Sequence, residues 1–193
     1  LDTRLERYRS SSDADLASEL LGRIIEEFDP ESEHMKGTAL RYVEMLKELT
    51  TPGEVDLTVF NNKPKVDEMI VVSPISFHSL CAHHIIPFFG TAHVAYVPGS
   101  KLIGLSKIPR LVRETAKGLH VQEVLTWSIA HLLDEALEDP IGVAVVMKAE
   151  HMCMSMRGVR ADEARTITST MQGCFLDPKK HARQEFLMLV NGA

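Results

Sequence analysis

Apolar side chains recur at helical spacing in the first fifty residues, and strand-like spacing takes over after them. After a polar lead from Arg4 to Ser12, Leu16, Leu20, Leu21, Ile24, Ile25 and Phe28 fall on one helical face. Asp13 or Asp15 is placed to cap that helix, and Pro30 stands beyond its end. Leu40, Val43, Leu46 and Leu49 make a second stripe, which predicts a helix from about Thr38 to Leu49 stopped by Thr51-Pro52-Gly53. Two such helices carry too little core to stand alone. They predict an N-terminal helical hairpin, residues 1–53, that packs on another subunit or on the main domain, residues 54–193.

From Val55 onward the chain is rich in β-branched residues punctuated by Gly, Pro and Asn. Strands are predicted at Val55 to Phe60, Glu68 to Ser73, Thr91 to Val97, Ile141 to Ala149 and Arg165 to Phe175. Two helices interrupt them. One is short, Ile108 to Lys117; the other, Val121 to Leu137, sets Val121, Leu125, Ile129, Leu132, Leu133 and Ala136 at helical spacing. A last helix is predicted from Lys179 to Val190. Two helices covering one face of a largely antiparallel sheet make an α+β layout.

Bulk properties narrow the function classes. The 193 residues suit one well-packed domain with an appended segment, and 45% hydrophobic with 25% charged residues is ordinary for a soluble globular protein. A formal net charge of −6 speaks against a general nucleic-acid or anionic-membrane binder, so an anionic ligand must be met by a local basic pocket. No apolar run approaches the roughly twenty residues of a membrane span, and Leu1 to Ser12 is too charged for a secretory signal, which makes the cytoplasm the expected location. Three cysteines cannot all pair within one chain. A reducing compartment and thiolate-metal chemistry fit them better than a disulfide framework, with Cys174 left over as a buried apolar residue.

Cys81-Ala82-His83-His84 precedes His151-Met152-Cys153 by seventy residues, and the two clusters hold five side chains suited to binding zinc or moving a proton near neutral pH. The spacing of Cys81 and His84 lets one turn of chain aim a thiolate and an imidazole at one ion, and Cys153 can complete the triad from a distant strand. Three protein ligands leave tetrahedral zinc an open position for water, whose pKa falls to about 7. His83 and His151 then stand beside the metal as proton carriers. A closed structural site, with either histidine as fourth ligand, has the same spacing, and a lone cysteine or histidine is more often a core residue.

Gly104-Leu105-Ser106-Lys107-Ile108-Pro109-Arg110 joins a strand to a helix start and brings backbone N–H groups, a hydroxyl, an ammonium and a guanidinium together, a workable phosphate cradle. The plainer alternative is a Ser106 N-cap followed by solvated charges. Arg157 follows Cys153 by four residues and shares its neighbourhood. Gln122 and Glu123 open the long helix, where a Glu ordinarily compensates the helix dipole; an amide beside a carboxylate can also read the donor edge of guanine.

Taken in order, the Cys81 to His84 cluster, Gly90 to Pro98, Gly104 to Arg110, Val121 to Thr126 and Glu150 to Val159 resemble the motifs of the GTP cyclohydrolase I family, from near Asp29-Pro30-Glu31 to Glu185-Phe186-Leu187. The resemblance implies a tunnelling fold, an antiparallel sheet backed by two antiparallel helices. It also implies rings stacked into a homodecamer with active sites between subunits. The implied reaction opens the guanine imidazole ring of GTP with water, releases C8 as formate and recloses to 7,8-dihydroneopterin triphosphate. By the same resemblance Cys81, His84 and Cys153 hold Zn2+, and His83 and His151 are catalytic together with Ser106. Ser106, Lys107, Arg110 and Arg157 bind the triphosphate end, with Arg41 reaching in from a neighbour, and Gln122 and Glu123 recognise guanine. The chain departs from the family pattern at Ala82, where a glutamate is common, at Glu44, where a basic residue is common, and at Gly118 and His120. Glu44 and Gly118 keep in view an enzyme of the same fold acting on another purine nucleotide or a modified guanine, and a closed structural metal site would make the chain a non-enzymatic zinc-stabilised assembly or regulatory binding protein.

Overall fold

The computed structural model describes residues 11–28 and 33–191; the polar lead from Arg4 to Ser12, apart from its last two residues, and the Asp29-Pro30-Glu31 stretch lie outside them. The chain separates into two compact units, Leu1–Thr51 and Pro52–Ala193. In the first unit, helix α1 (Ser11–Phe28) and helix α2 (Thr38–Thr50) are in contact with each other. Helix α1 begins at Ser11, upstream of the start expected at Asp13 or Asp15. Leu16, Leu20 and Ile24 on its stripe are more than half exposed, an apolar surface that the single chain leaves uncovered.

The second unit is built on a five-stranded sheet. Its strands are β2 (Ile70–Cys81), β3 (Pro87–Val97), β5 (Leu119–His120), β6 (Gly142–His151) and β7 (Thr166–Met171), in the order β5-β2-β3-β6-β7. All pairings are antiparallel except the short parallel contact of β5 with β2. Strands β1 (Val59–Asn61) and β4 (Lys101–Ile103) form a separate two-stranded ribbon. The strand expected at Val55 to Phe60 is thus mostly unpaired: Val55, Leu57 and Val59 alternate because they pack on the core, and only the last of them joins a ladder. The strand expected to stop at Ser73 instead continues to Cys81. Its register shifts between Val72 and Ile75, around Pro74, which lacks the N–H that a regular ladder needs.

Helices α3 (Lys107–Thr115) and α4 (Gln122–Leu137) cover one face of the sheet. Leu125, Ile129, Leu133 and Leu137, four apart along α4, are fully buried against Phe77, Val94, Tyr96 and Val145. Leu132, expected among them, turns outward. On the opposite face, the short 3-10 turn Gly173–Phe175 and the C-terminal helix α6 (Ala182–Asn191) bury Ala95, Ala144 and Val146. The strand expected to reach Phe175 ends at Met171 because Gly173, at φ 57°, turns the chain into that 3-10 segment.

Candidate metal centre and active site

Three chain ends meet at the rim of the sheet. Strand β2 ends on Cys81, β6 ends on His151, and α4 starts at Gln122. The link that brings α4 there is the two-residue β5, which pairs Cys81 with His120, while the Ala82 N–H donates to the His120 carbonyl at 3.0 Å. Gly118, at φ 128°, makes the turn into β5 in a conformation that side-chain-bearing residues rarely adopt. This departure from the family pattern therefore has a backbone reason.

After Cys81 the chain closes a tight turn: the N–H groups of His84 and Ile85 donate to the Cys81 carbonyl at 3.2 and 2.8 Å, and the Cys81 N–H donates to Ile86. Ile85 sits at φ 53°, a costly place for a β-branched residue, and local strain of this kind persists where the surroundings over-determine it. The turn sets His84 Nδ1 3.8 Å from Cys81 Sγ. Cys153 reaches the same point from helix α5 (Met152–Ser155), with its sulfur 3.8 Å from that of Cys81. Cys153 was expected on a strand; it stands instead on the single helical turn that follows β6, which swings it back toward β2.

Cys81, His84 and Cys153 form a group whose ligand atoms all lie within 4.8 Å of one another, arranged so that they could hold a metal ion. Among the described residues no fourth His, Cys, Asp or Glu belongs to it. His83 is exposed, with Nδ1 3.8 Å from Cys81 Sγ, but lies outside the group. Burial, and behind it the adjacent Cys81 sulfur, push the Cys153 thiol up, while Arg157 pulls the other way. Two thiolates side by side are costly until a cation lies between them. Arg157 Nη1 is 3.2 Å from His84 Nε2, which places this guanidinium against the cluster as its sequence position implied.

His151 lies beside the group, half-buried. Its ring stacks on Phe88 at 4.5 Å and 5°, and Nε2 is 2.7 Å from Gln122 Oε1. Burial lowers its pKa, and the nearby Glu123 carboxylate acts against that. Glu123 is exposed at the start of α4, free to meet a ligand. Gln122 is held inside the chain. It is 1% exposed, and its amide nitrogen is 3.3 Å from the Met147 carbonyl, 3.1 Å from the Thr166 carbonyl and 3.0 Å from Thr168 Oγ1. Both ends of the amide are thus engaged inside the chain. Phe88 and Thr168 join the surroundings of His151, and no motif in the sequence marked them, while Thr126 closes the Val121 to Thr126 motif.

The basic residues gather elsewhere. Lys107 and Arg110 line a cavity of about 420 Å³ together with Arg113, Glu54, Asp56 and Glu114. Arg113, three residues after Arg110 on α3, is a cation of this cavity that the cradle motif did not include. Lys107 Nζ bonds Asp56 Oδ2 at 3.0 Å, and this ammonium, followed by the Thr58 hydroxyl, holds the Asp56 carboxyl below its ordinary range. Ser106 precedes α3 without capping it through its side chain and is exposed. Arg41 belongs to the first unit, where its guanidinium donates to the Lys36 carbonyl at 2.9 Å and to Thr38 Oγ1 at 2.7 Å.

The sequence model of the family described as GTP cyclohydrolase I matches residues 15–191. The GTP cyclohydrolase 1 of Sulfurihydrogenibium sp. (strain YO3AOP1) is 48% identical over 163 residues, covering 84% of this chain and 86% of that one. That of Aquifex aeolicus (strain VF5) is 46% identical over 164 residues, covering 85% and 88%. That of Campylobacter jejuni subsp. jejuni serotype O:23/36 (strain 81-176) is 52% identical over 127 residues, 66% of each. With a family match across nearly the whole described length and relatives that align over most of both chains, the chain belongs to the GTP cyclohydrolase I family.

Proposed function

We propose that this protein opens the guanine imidazole ring of GTP with water, releases C8 as formate and forms 7,8-dihydroneopterin triphosphate, the entry step of pterin synthesis. The observation that carries the reading is the three-ligand group of Cys81, His84 and Cys153 with His151 at its side, in a chain of this family. Zinc fits that group. Ligand atoms held about 2.3 Å from one tetrahedral ion stand about 3.8 Å apart, which is the separation of Cys81 Sγ from both Cys153 Sγ and His84 Nδ1. Two thiolates with one imidazole are donors that suit it. When bound there, zinc supplies a Lewis acid that makes water nucleophilic near neutral pH.

The chain's own residues account for the remaining chemistry. His83, exposed beside Cys81, protonates the imidazole nitrogen of the purine as its C8 bond breaks. His151 carries protons through loss of formate and the ribose rearrangement that follows, where acid and base roles alternate. Glu123 accepts from the N–H donors of guanine and rejects adenine, which offers a different donor pattern and leaves a carboxylate unpaired. Lys107 and Arg110, with Ser106 at the helix start, bind the triphosphate end; the ammonium exchanges Asp56 for phosphate as it does so. Arg157 supports the same end from the side of the cluster.

In this reading the fold is the tunnelling fold, and its rings stack into a decamer of the cytoplasm in which Arg41 serves a neighbouring subunit's site. No helix among the described residues is long and apolar enough to cross a membrane. The division of roles is tested by zinc content and GTP turnover in two variants. Cys153→Ala is expected to lose both, while His151→Ala keeps zinc and loses turnover by about 10²-fold or more. Equal zinc loss in the two variants makes His151 a ligand and overturns the assignment.

A further inference from the structure

The hydrogen bonds around Gln122 have only one consistent set of directions. The carbonyl oxygens of Met147 and Thr166 can only accept, so the amide atom facing them is the NH2 group and the atom facing His151 is oxygen. The Thr126 hydroxyl donates to the Gln122 backbone carbonyl at 2.8 Å, so at 2.6 Å from Thr168 Oγ1 it is the acceptor. Thr168 therefore gives its proton to Thr126 and accepts from the Gln122 amide. The two amide hydrogens are shared among three acceptors, and the amide cannot flip without setting its oxygen against two carbonyls.

Because Gln122 Oε1 can only accept, His151 Nε2 must carry hydrogen. The neutral imidazole is then the Nε2–H tautomer, with its lone pair on Nδ1. Phe88, stacked at 5° to the imidazole, fixes the ring plane. We propose that Gln122, held by Thr168 and Thr126, is a positioning residue that fixes His151 in the Nε2–H tautomer and in one ring orientation, which leaves Nδ1 as the acceptor atom of the ring. This inference rests on the assignment of His151 as proton carrier, and it moves Gln122 from guanine recognition to catalysis through His151.

Two measurements on the full-length, zinc-loaded protein test it. The first is 15N magic-angle-spinning NMR of histidine-labelled wild type, with His151→Asn as the difference that assigns the signal. The Nε2–H pattern is expected; an Nδ1–H pattern overturns the proposal, whatever the enzyme's activity. The second is steady-state kinetics of Gln122→Leu and Thr168→Val, with Thr168→Ser as the conservative replacement. In Gln122→Leu, kcat for GTP is expected to fall about 10²-fold at near-constant KM and zinc content. Thr168→Val falls less, and Thr168→Ser is close to wild type. A rise in the KM for GTP at constant kcat, with weaker discrimination against inosine triphosphate, returns Gln122 to base reading and overturns the proposal. If Gln122→Leu does not fold, the Thr168 pair and the wild-type spectrum decide. Absence of turnover in the wild type refutes the enzymatic reading, and the spectrum still shows whether Gln122 sets the tautomer.

Discussion

At the residue scale, buried polar groups carry the most information. His93 is 2% exposed in the middle of β3, with Nδ1 2.6 Å from Ser73 Oγ and Nε2 3.4 Å from Thr91 Oγ1. Burial, and behind it the positive charge of Lys148, lower its pKa in the folded protein. An unfolded histidine titrates near 6.5. As pH falls below that value the unfolded chain takes up the proton first, so stability that is complete above about 6.5 is lost as pH drops through the lower folded pKa. The thermal midpoint is expected to fall between pH 7 and 5 more steeply in wild type than in His93→Gln; parallel slopes would remove His93 as the cause. Ligand and proton-carrier candidates were readable in the sequence because Cys and His in tight clusters are uncommon. The placement of Gln122 was not, since its neighbours Met147, Thr166 and Thr168 come from strands far along the chain. A motif shows that an amide is present and not which way it faces.

At the scale of elements, the site depends on how closely β3 and β6 approach. Their register sets Phe88 opposite His151 and Gly90 opposite Ala149. A Cβ on Gly90 would fall on the Lys148 carbonyl oxygen and within 2.7 Å of Ala149 Cα, both backbone atoms that cannot swing aside. Gly90→Ala is therefore expected to destabilise the protein by about 1–3 kcal/mol, measured by urea unfolding, and to lower turnover by displacing Phe88 from the His151 ring. Wild-type stability in that variant would mean that the strands do not meet as described. Longer elements were readable from periodicity, because a helix such as α4 buries one face and so leaves its repeat in the sequence. Short ones were not. The two-residue β5 and the one-turn α5 are too brief to leave any period, yet they bring Gln122 and Cys153 to the cluster. Where tertiary contact alone creates an element, local pattern has nothing to show.

For the whole molecule, the uncovered surface bears on the proposed decamer. The α1 stripe of Leu16, Leu20 and Ile24 faces solvent in the single chain, as does Ile167 on β7, an edge strand of the sheet. Exposed apolar stripes and open edges are liabilities that association removes. Native mass spectrometry is expected to find ten copies of the 21.5 kDa chain, and a monomer at micromolar concentration would contradict the proposed decamer. Ordered motifs carried the likeness to the family across the chain, while the relation between subunits lies beyond what any one chain's pattern can specify. The central claim is the fate of one carbon atom. Zinc-quantified protein mixed with GTP labelled with 13C at C8, and with GDP and ATP labelled likewise, is followed by 13C NMR together with pterin fluorescence after oxidation. Labelled formate and pterin triphosphate in equal amounts, from GTP alone, is the result predicted. Zinc-loaded protein that leaves the C8 label in every nucleotide would contradict it.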